Sequence, residues 1–182
     1  SKFDLLPIRN FRYGSTPHAP EIAGEVWKQM FDRRGPDGCW YGCSLQCAHA
    51  VPHVHLQTGP YKGQVVMVDG PEYETLASLG ACCGITDPEA VLKGNELCNE
   101  YGLDTISVGG VIGWLLESVE RGVITPAEVK CPELAWGNGD AMIQLIHWIA
   151  HRRGIGGLLA EGTRRAAEVI GGDSWKWAVQ AH

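Results

Sequence analysis

No apolar run in this chain reaches the roughly 18 residues that a helical membrane span requires, and its N-terminal residues carry no signal-peptide pattern. Basic residues are also scarce. Lys and Arg number 15 against 21 Asp and Glu, a formal charge of −6. With no cluster of cations to neutralise phosphates, a nucleic-acid surface is excluded. The pairs Arg33-Arg34, Arg152-Arg153 and Arg164-Arg165 fall near helix ends or on helical faces and read as solvated surface. No internal repeat of fixed period is present. Cysteine is different: there are seven, an odd number, and Cys82 and Cys83 are adjacent. That argues against a disulfide scaffold and for a reducing, cytoplasmic compartment where some thiols serve a metal or redox purpose.

With 45% hydrophobic and 20% charged residues, the 182-residue chain has ordinary globular composition. It can build one domain, or two small ones sharing a core. It opens Ser-Lys-Phe without a Met and stops at Gln-Ala-His just past a helix, so a piece of a longer chain is expected. Residues 1–18 are punctuated by Pro and Gly and read as an irregular leading segment. From Glu21 to Arg34 the apolar residues Ile22, Val26, Trp27, Met30 and Phe31 fall at helical spacing, and Gly35-Pro36 ends them. Gln64 to Val68 reads as a β run that forms a hairpin.

Beyond residue 86 the pattern is helical. Asp87-Pro88-Glu89 supplies a capping carboxylate, a first-turn Pro and an acid at the positive end of the dipole, which predicts a helix to Tyr101 stopped by Gly102. Further helices are predicted from Val111 to Glu120, from Thr125 to Val129, from Asp140 to Arg153 and from Leu158 to Ile170. The fold class is therefore mainly α, a multi-helix domain with a short β-hairpin.

The stretch "GCWYGCSLQC", Gly38 to Cys47, places Cys39, Cys43 and Cys47 four residues apart. On a helix this spacing makes one stripe of small packing residues, but Gly38, Gly42 and Ser44 make poor helix. An iron–sulfur cluster needs thiolates from a short loop plus one from elsewhere. Zinc needs four ligands, and His49, His53 and His55 are near enough in sequence to supply the last. Spacing alone leaves all three readings open, including a non-catalytic zinc-binding helical module.

Four other stretches bear on the choice. "PEYETLASLG" (Pro71 to Gly80) and "LCNEYGLDTIS" (Leu97 to Ser107), with "LPIRNF" (Leu6 to Phe11) and "LLAEGTRRAAEVIGG" (Leu158 to Gly172), together resemble the tungsten-pterin aldehyde:ferredoxin oxidoreductase family. The resemblance implies that residues 1–182 are the central helical domain of a larger multidomain oxidoreductase. Residues 1–60 would be a leading segment with an iron–sulfur cysteine loop, and 61–182 a helical, pterin-contacting part. It implies that Cys39, Cys43 and Cys47 hold a 4Fe-4S cluster, although the family's first spacing is C-x2-C and here it is C-x3-C. It implies that Asn99, Gly102, Leu103 and Asp104 contact a tungsten (or molybdenum) bis-pterin, with Asn99 standing where the family has Asp. Glu74 would be the active-site carboxylate, and on a strand it would share a side with Glu72.

The implied reaction is oxidation of an aldehyde to the acid, with electrons leaving through the cluster to ferredoxin or a partner subunit. The remaining domains of the full-length chain would complete the site. Tungsten-dependent reductases of benzoyl-CoA resemble the same scaffold but differ around the "EYET" position, and retention of Glu74 favours aldehyde chemistry. The Glu-x-x-His pattern with which some relatives bind iron between subunits is absent here. His147 and His151, one helical turn apart, read as a helix flank, and Cys82, Cys83 and Cys98 as packing residues.

Overall fold

Two small antiparallel strand pairs precede the four regular helices: β1 (Pro36–Asp37) with β2 (Ala48–His49), and β3 (Val51–His55) with β4 (Val65–Val68). The computed structural model describes residues 6–23, 26–27, 36–49, 51–131 and 133–179. In β4 the valines at 66 and 68 are buried while Val65 and Met67 face out, the two-residue alternation of a half-covered sheet. The turn from β3 is fastened to the helices chiefly by the Glu89 carboxylate. Glu89 accepts the Gln57 and Thr58 amides, each at 2.8 Å, and the Thr58 hydroxyl at 2.6 Å.

An irregular helix occupies 73–83, made of an α turn (Tyr73–Thr75), a π turn (Leu76–Gly80) and a 3-10 turn (Ala81–Cys83). Four regular helices follow: α1 (Pro88–Tyr101), α2 (Thr105–Glu120), α3 (Gly139–Ala150) and α4 (Thr163–Ile170). Single turns at Pro126–Val129 and Gly156–Leu159 connect them. Each of the first three has a side-chain cap: Asp87, Asp104 and Asn138 accept amides of the first turn.

α2 is the central element. It is buried on nearly every side from Val108 to Ser118, which is why its sequence shows no clean polar face. Trp114, Leu115 and Ile112 share one core with Leu145 and Ile146 of α3 and Leu92 of α1. Burying each such side chain stabilises the fold by about 1.5–3 kcal/mol relative to exposure. α2 starts at Thr105, not Val111, because Asp104 caps it; Gly109 and Gly110 lie inside it. Gly109 is a close approach, since a Cβ there would lie 2.4 Å from the Ser78 carbonyl carbon.

α3 ends at Ala150 rather than Arg153, because His151 leaves helical angles and Arg152 takes a positive φ of 51°. The expected helix from Leu158 to Ile170 is broken by Gly162, whose φ is 85°. Of the expected helix from Glu21 to Arg34, Ala19–Ile22 is a 3-10 turn and Val26 and Trp27 are helical. Residues 24–25 and 28–34 lie outside the described ones.

Candidate active site

Glu74 sits in the α turn that opens the irregular helix, so the strand parity expected for Glu72 and Glu74 does not apply. Glu72 precedes this turn in extended backbone, with a ψ of 166°, and of the two acids it is Glu74 that lines the neighbouring cleft. Glu72 accepts the Leu76 amide at 3.1 Å through its carbonyl and begins the turn. The Ser78 hydroxyl donates to the Glu74 carbonyl at 2.8 Å. The Thr75 and Thr105 hydroxyls meet at 2.9 Å and fasten this turn to the start of α2.

Glu74 is exposed on the wall of a cleft of about 1080 Å³. Phe11, Arg12 and Tyr13 line a second wall, Ile106 and Ser107 of α2 a third, and Gly162 to Arg165 a fourth. Cys82 lies at its buried edge. Burial pushes that thiol up to about 11, against a hydrogen bond from the Asn10 backbone, so it stays protonated at neutral pH. Cys83 and Cys98 are buried as well, and burial raises both, Cys98 to about 12. These three are packing thiols.

The Phe11 wall is held by a left-handed turn. Arg9, Asn10 and Phe11 have φ of 47°, 56° and 63°. Such angles cost roughly 1–2 kcal/mol per non-glycine residue. Asn10 offsets this cost by donating from its buried amide to the Glu117 carboxylate at 2.7 Å and to the Trp177 carbonyl at 2.8 Å. Glu117 is itself fully buried on α2 and takes Arg121 at 2.6 Å. The signal for this wall was present in sequence as "LPIRNF", but nothing local in it specifies left-handed backbone. The Arg164-Arg165 pair, read from sequence as plain surface, is solvent-exposed and also lines the cleft.

The expected pterin-contacting residues form the junction of α1 and α2. Asn99 is exposed in the last turn of α1, and its carbonyl takes the Gly102 amide. Gly102 has a φ of 66°, the left-handed cap that ends α1, and a Cβ there would touch nothing. Leu103 turns back on the helix through its amide, 2.8 Å from the Cys98 carbonyl. Asp104 spends one carboxylate oxygen on the Ser107 amide at 2.8 Å, and Ser107 lines the cleft. Behind this junction Tyr101 shares His147 with Tyr61, at 2.8 and 2.6 Å. That pairing was invisible in the sequence because Tyr61 comes from the hairpin side. His147 is therefore an internal pin rather than a flank residue, while His151 is exposed with its ring against Tyr101.

In the cysteine loop the Cys39 and Cys43 thiols are within hydrogen-bonding reach of each other. Cys43 is lowered because the Gln46 and Leu45 amides donate to its sulfur, with the Cys39 thiol adding to them. Gln46 adopts a φ of 47° in this loop. Cys39 is raised, first by loss of hydration, then by Cys43 and by the charge of Glu72, which places the loop beside the helix that bears Glu74. Cys47 is half-buried. Among the described residues no group of three His, Cys, Asp or Glu side chains is gathered as for a metal ion. No helix among them is long and apolar enough to cross a membrane.

The fold is mainly helical; Glu74, and Ser107 beside the Asp104 cap, line one broad cleft, while the cysteine loop lies beside the helix that bears Glu74. The chain belongs to the aldehyde ferredoxin oxidoreductase family: the family model described as "Aldehyde ferredoxin oxidoreductase, domains 2 & 3" matches residues 1–182. It is 36% identical over 177 residues to the tungsten-containing aldehyde ferredoxin oxidoreductase of Thermococcus kodakarensis, covering 97% of this chain and 27% of that protein. It is 40% identical over 143 residues to the aliphatic sulfonate oxidoreductase, WOR-like subunit, of Pyrococcus furiosus, covering 76% of this chain and 22% of that one. Among solved structures it resembles the active site complex BamBC of benzoyl coenzyme A reductase in complex with 1,5-dienoyl-CoA. The TM-score is 0.62 with 26% identity, over 85% of this chain and 22% of that chain. The chain thus spans about a quarter of the length of the curated relatives it matches.

The donor chemistry of single residues suits the groups that the family implies, although the three thiols of the cysteine loop are not gathered around one point. Two backbone amides aimed at the Cys43 sulfur favour its thiolate, the form that binds iron. The open backbone at Gly102 and the second Asp104 oxygen can take the edge of a flat, donor-rich ring.

Proposed function

We propose that this chain is part of a tungsten-dependent enzyme that oxidises an aldehyde to the carboxylic acid. The observation that carries this reading is the position of Glu74, an exposed carboxylate on a rigidly held turn, facing a cleft large enough for a cofactor edge and a small substrate. The reaction adds water to the carbonyl and removes two electrons and two protons. A bound tungsten (or molybdenum) bis-pterin would supply the two-electron acceptor.

Glu74 would take a proton from the attacking water, the general-base role that a carboxylate fills in a partly dry site. Phe11, Tyr13 and Ile106 would keep bulk water from the carbonyl carbon. Asn99, Gly102, Leu103 and Asp104 would hold the pterin edge. Cys39, Cys43 and Cys47 would hold three corners of a 4Fe-4S cluster, which passes electrons singly to ferredoxin or a partner subunit; its last ligand would come from outside this chain. The surrounding compartment would be the cytoplasm, and the fragment by itself would be inactive.

The test is metal and acid-labile sulfide analysis of the anaerobically purified full-length protein, with turnover on a panel of aldehydes. About four irons with matching sulfide, one tungsten or molybdenum, and aldehyde-dependent reduction of ferredoxin are expected. One zinc without iron would replace this reading with a structural zinc module. The structural match to the benzoyl-CoA reductase complex favours a second reading, reduction of an aromatic thioester. Turnover of benzoyl-CoA with no aldehyde oxidised would select it.

A further inference from the structure

One buried acid of α2 fixes cleft residues drawn from both ends of the described chain, without lining the cleft itself. We infer that Glu117 is a positioning residue for substrate width. Through Asn10 it sets where the Phe11–Tyr13 wall stands, and so how bulky an aldehyde is admitted beside Glu74. This rests on reading the cleft as the substrate's, as proposed above.

The left-handed run from Arg9 to Phe11 is strained backbone, which persists only where its surroundings over-determine it. Asparagine accepts such angles more readily than arginine or phenylalanine, and the fastening is at Asn10. Its side-chain nitrogen donates to the Glu117 carboxylate at 2.7 Å and to the Trp177 carbonyl at 2.8 Å, which spends both hydrogens. Its side-chain oxygen is buried and unpartnered among the described residues. The donors alone therefore decide its orientation: turned over, that oxygen would face a carboxylate and a carbonyl, two acceptors. The Asn10 backbone amide meets the Cys82 sulfur at the buried edge of the cleft.

Glu117 is a firm acceptor because it is held independently of the turn. One of its oxygens takes Arg121, through Nε at 2.7 Å and Nη2 at 2.6 Å, and the other takes Asn10. A hydrogen bond to an ionised acceptor is of the stronger kind. The Arg121 guanidinium lies over the Trp177 ring at 4.6 Å, and the Trp177 carbonyl that Asn10 uses also takes the Val179 amide at 3.0 Å. Arg12 approaches the Glu117 carboxylate at 3.9 Å and pairs with Glu120. Phe11, Arg12, Tyr13 and Val179 all line the cleft. Phe11 is 56% and Tyr13 50% exposed. With so little of either side chain packed, the backbone beneath sets where they stand.

The experiment uses the full-length metal-loaded enzyme and two aldehydes, linear butanal and bulky cyclohexanecarbaldehyde. Glu117→Gln keeps the shape of the acid and removes its charge. Asn10→Gly keeps a residue at ease with positive φ and removes the tie, and it decides the matter where Glu117→Gln does not fold. Each variant is expected to raise kcat/KM per tungsten for the bulky aldehyde relative to the linear one by about tenfold, the order that one methylene's room is worth in an apolar pocket. The double variant is expected to match either single one, because both cut the same link. Loss of stability alone would lower both aldehydes together. An unchanged ratio, a ratio that moves towards the linear aldehyde, or additive effects overturn the inference.

Hydrogen exchange read by mass spectrometry on the same proteins is the second arm. The Ile8, Arg12 and Tyr13 amides are hydrogen-bonded within the turn, and exchange across residues 8–13 is expected to quicken by about tenfold in both variants, with α1 unaltered. Exchange there that stays as in wild type overturns the inference. If wild type oxidises no aldehyde, the proposed reaction fails and the exchange arm alone decides whether Glu117 positions this wall: quickening confined to residues 8–13 upholds it, and quickening throughout the chain overturns it.

Discussion

At the residue scale, two side chains carry separable consequences. Replacing Glu74 with Gln keeps the shape of the cleft wall and removes the carboxylate proposed as the base. Aldehyde turnover should fall by about 10²–10⁴-fold, with tungsten content by elemental analysis unchanged. Cys43→Ser acts elsewhere. It removes the one sulfur that two backbone amides address, so iron and sulfide content should fall and the reduced-cluster EPR signal should vanish. Were that signal to survive intact in Cys43→Ser, the loop would not be the cluster's. Gly102 shows how a residue serves two ends: its positive φ stops α1, and its missing Cβ leaves the backbone open beside Asp104.

At the element scale, the helix that bears Glu74 is positioned by one contact that admits no side chain. α2 crosses it at Gly109, where an added Cβ would meet the Ser78 backbone at 2.4 and 2.5 Å. Backbone cannot swing aside as a flexible side chain can. Gly109→Ala should therefore cost about 1–3 kcal/mol, read as a lower Tm, and should lower turnover as well because Ser78 holds the Glu74 carbonyl. The helices were largely legible in the sequence because their starts are local: Asp87, Thr125 and the acids behind them announce caps within four residues. Three things were not legible. The start of α2 was masked by Gly109 and Gly110, whose purpose is packing against an element remote in sequence. The π turn at Leu76–Gly80 is set by tertiary contacts, so "EYETLASLG" read equally well as extended. The left-handed turn at Arg9 to Phe11 is stable only because Asn10 finds Glu117, 107 residues later. The candidate site shows the same division. Glu74 stood in a legible motif and lines the cleft; the loop cysteines and the α1–α2 junction were expected from motifs and lie outside its lining, and the arginine wall became part of the cleft only once Gly162 had turned the chain.

At the scale of the whole molecule, the β-hairpin side and the helices are joined by the Tyr61–His147–Tyr101 bridge, and that bridge titrates. Burial, then His151 and Lys93, hold the His147 pKa below its ordinary 6.5, with Glu100 opposing them weakly. As pH falls, the unfolded chain takes up this proton first, so stability declines from about pH 6.5 downward until the folded imidazole is also charged. Glu21, Glu128 and Glu161 are lowered from 4.5 by hydrogen bonds and charge, and so titrate beneath that window. Tm measured between about pH 7.5 and pH 5.5 should drop in wild type and drop less in His147→Gln; equal slopes would show that the bridge does not set the acid limit.

The first and last described segments meet on the same stretch of α2. Asn10 reaches both Glu117 and the Trp177 carbonyl, Trp177 donates to Ser118 at 2.9 Å, and Trp114 donates to Ser174 at 3.0 Å. Residues 10 and 177, far apart in sequence, therefore lie side by side on one edge of the central helix. A domain built this way is a candidate for circular permutation. Joining 179 back to 6 through a short linker and opening the backbone at the exposed Gly154 would leave every one of these contacts within an unbroken chain.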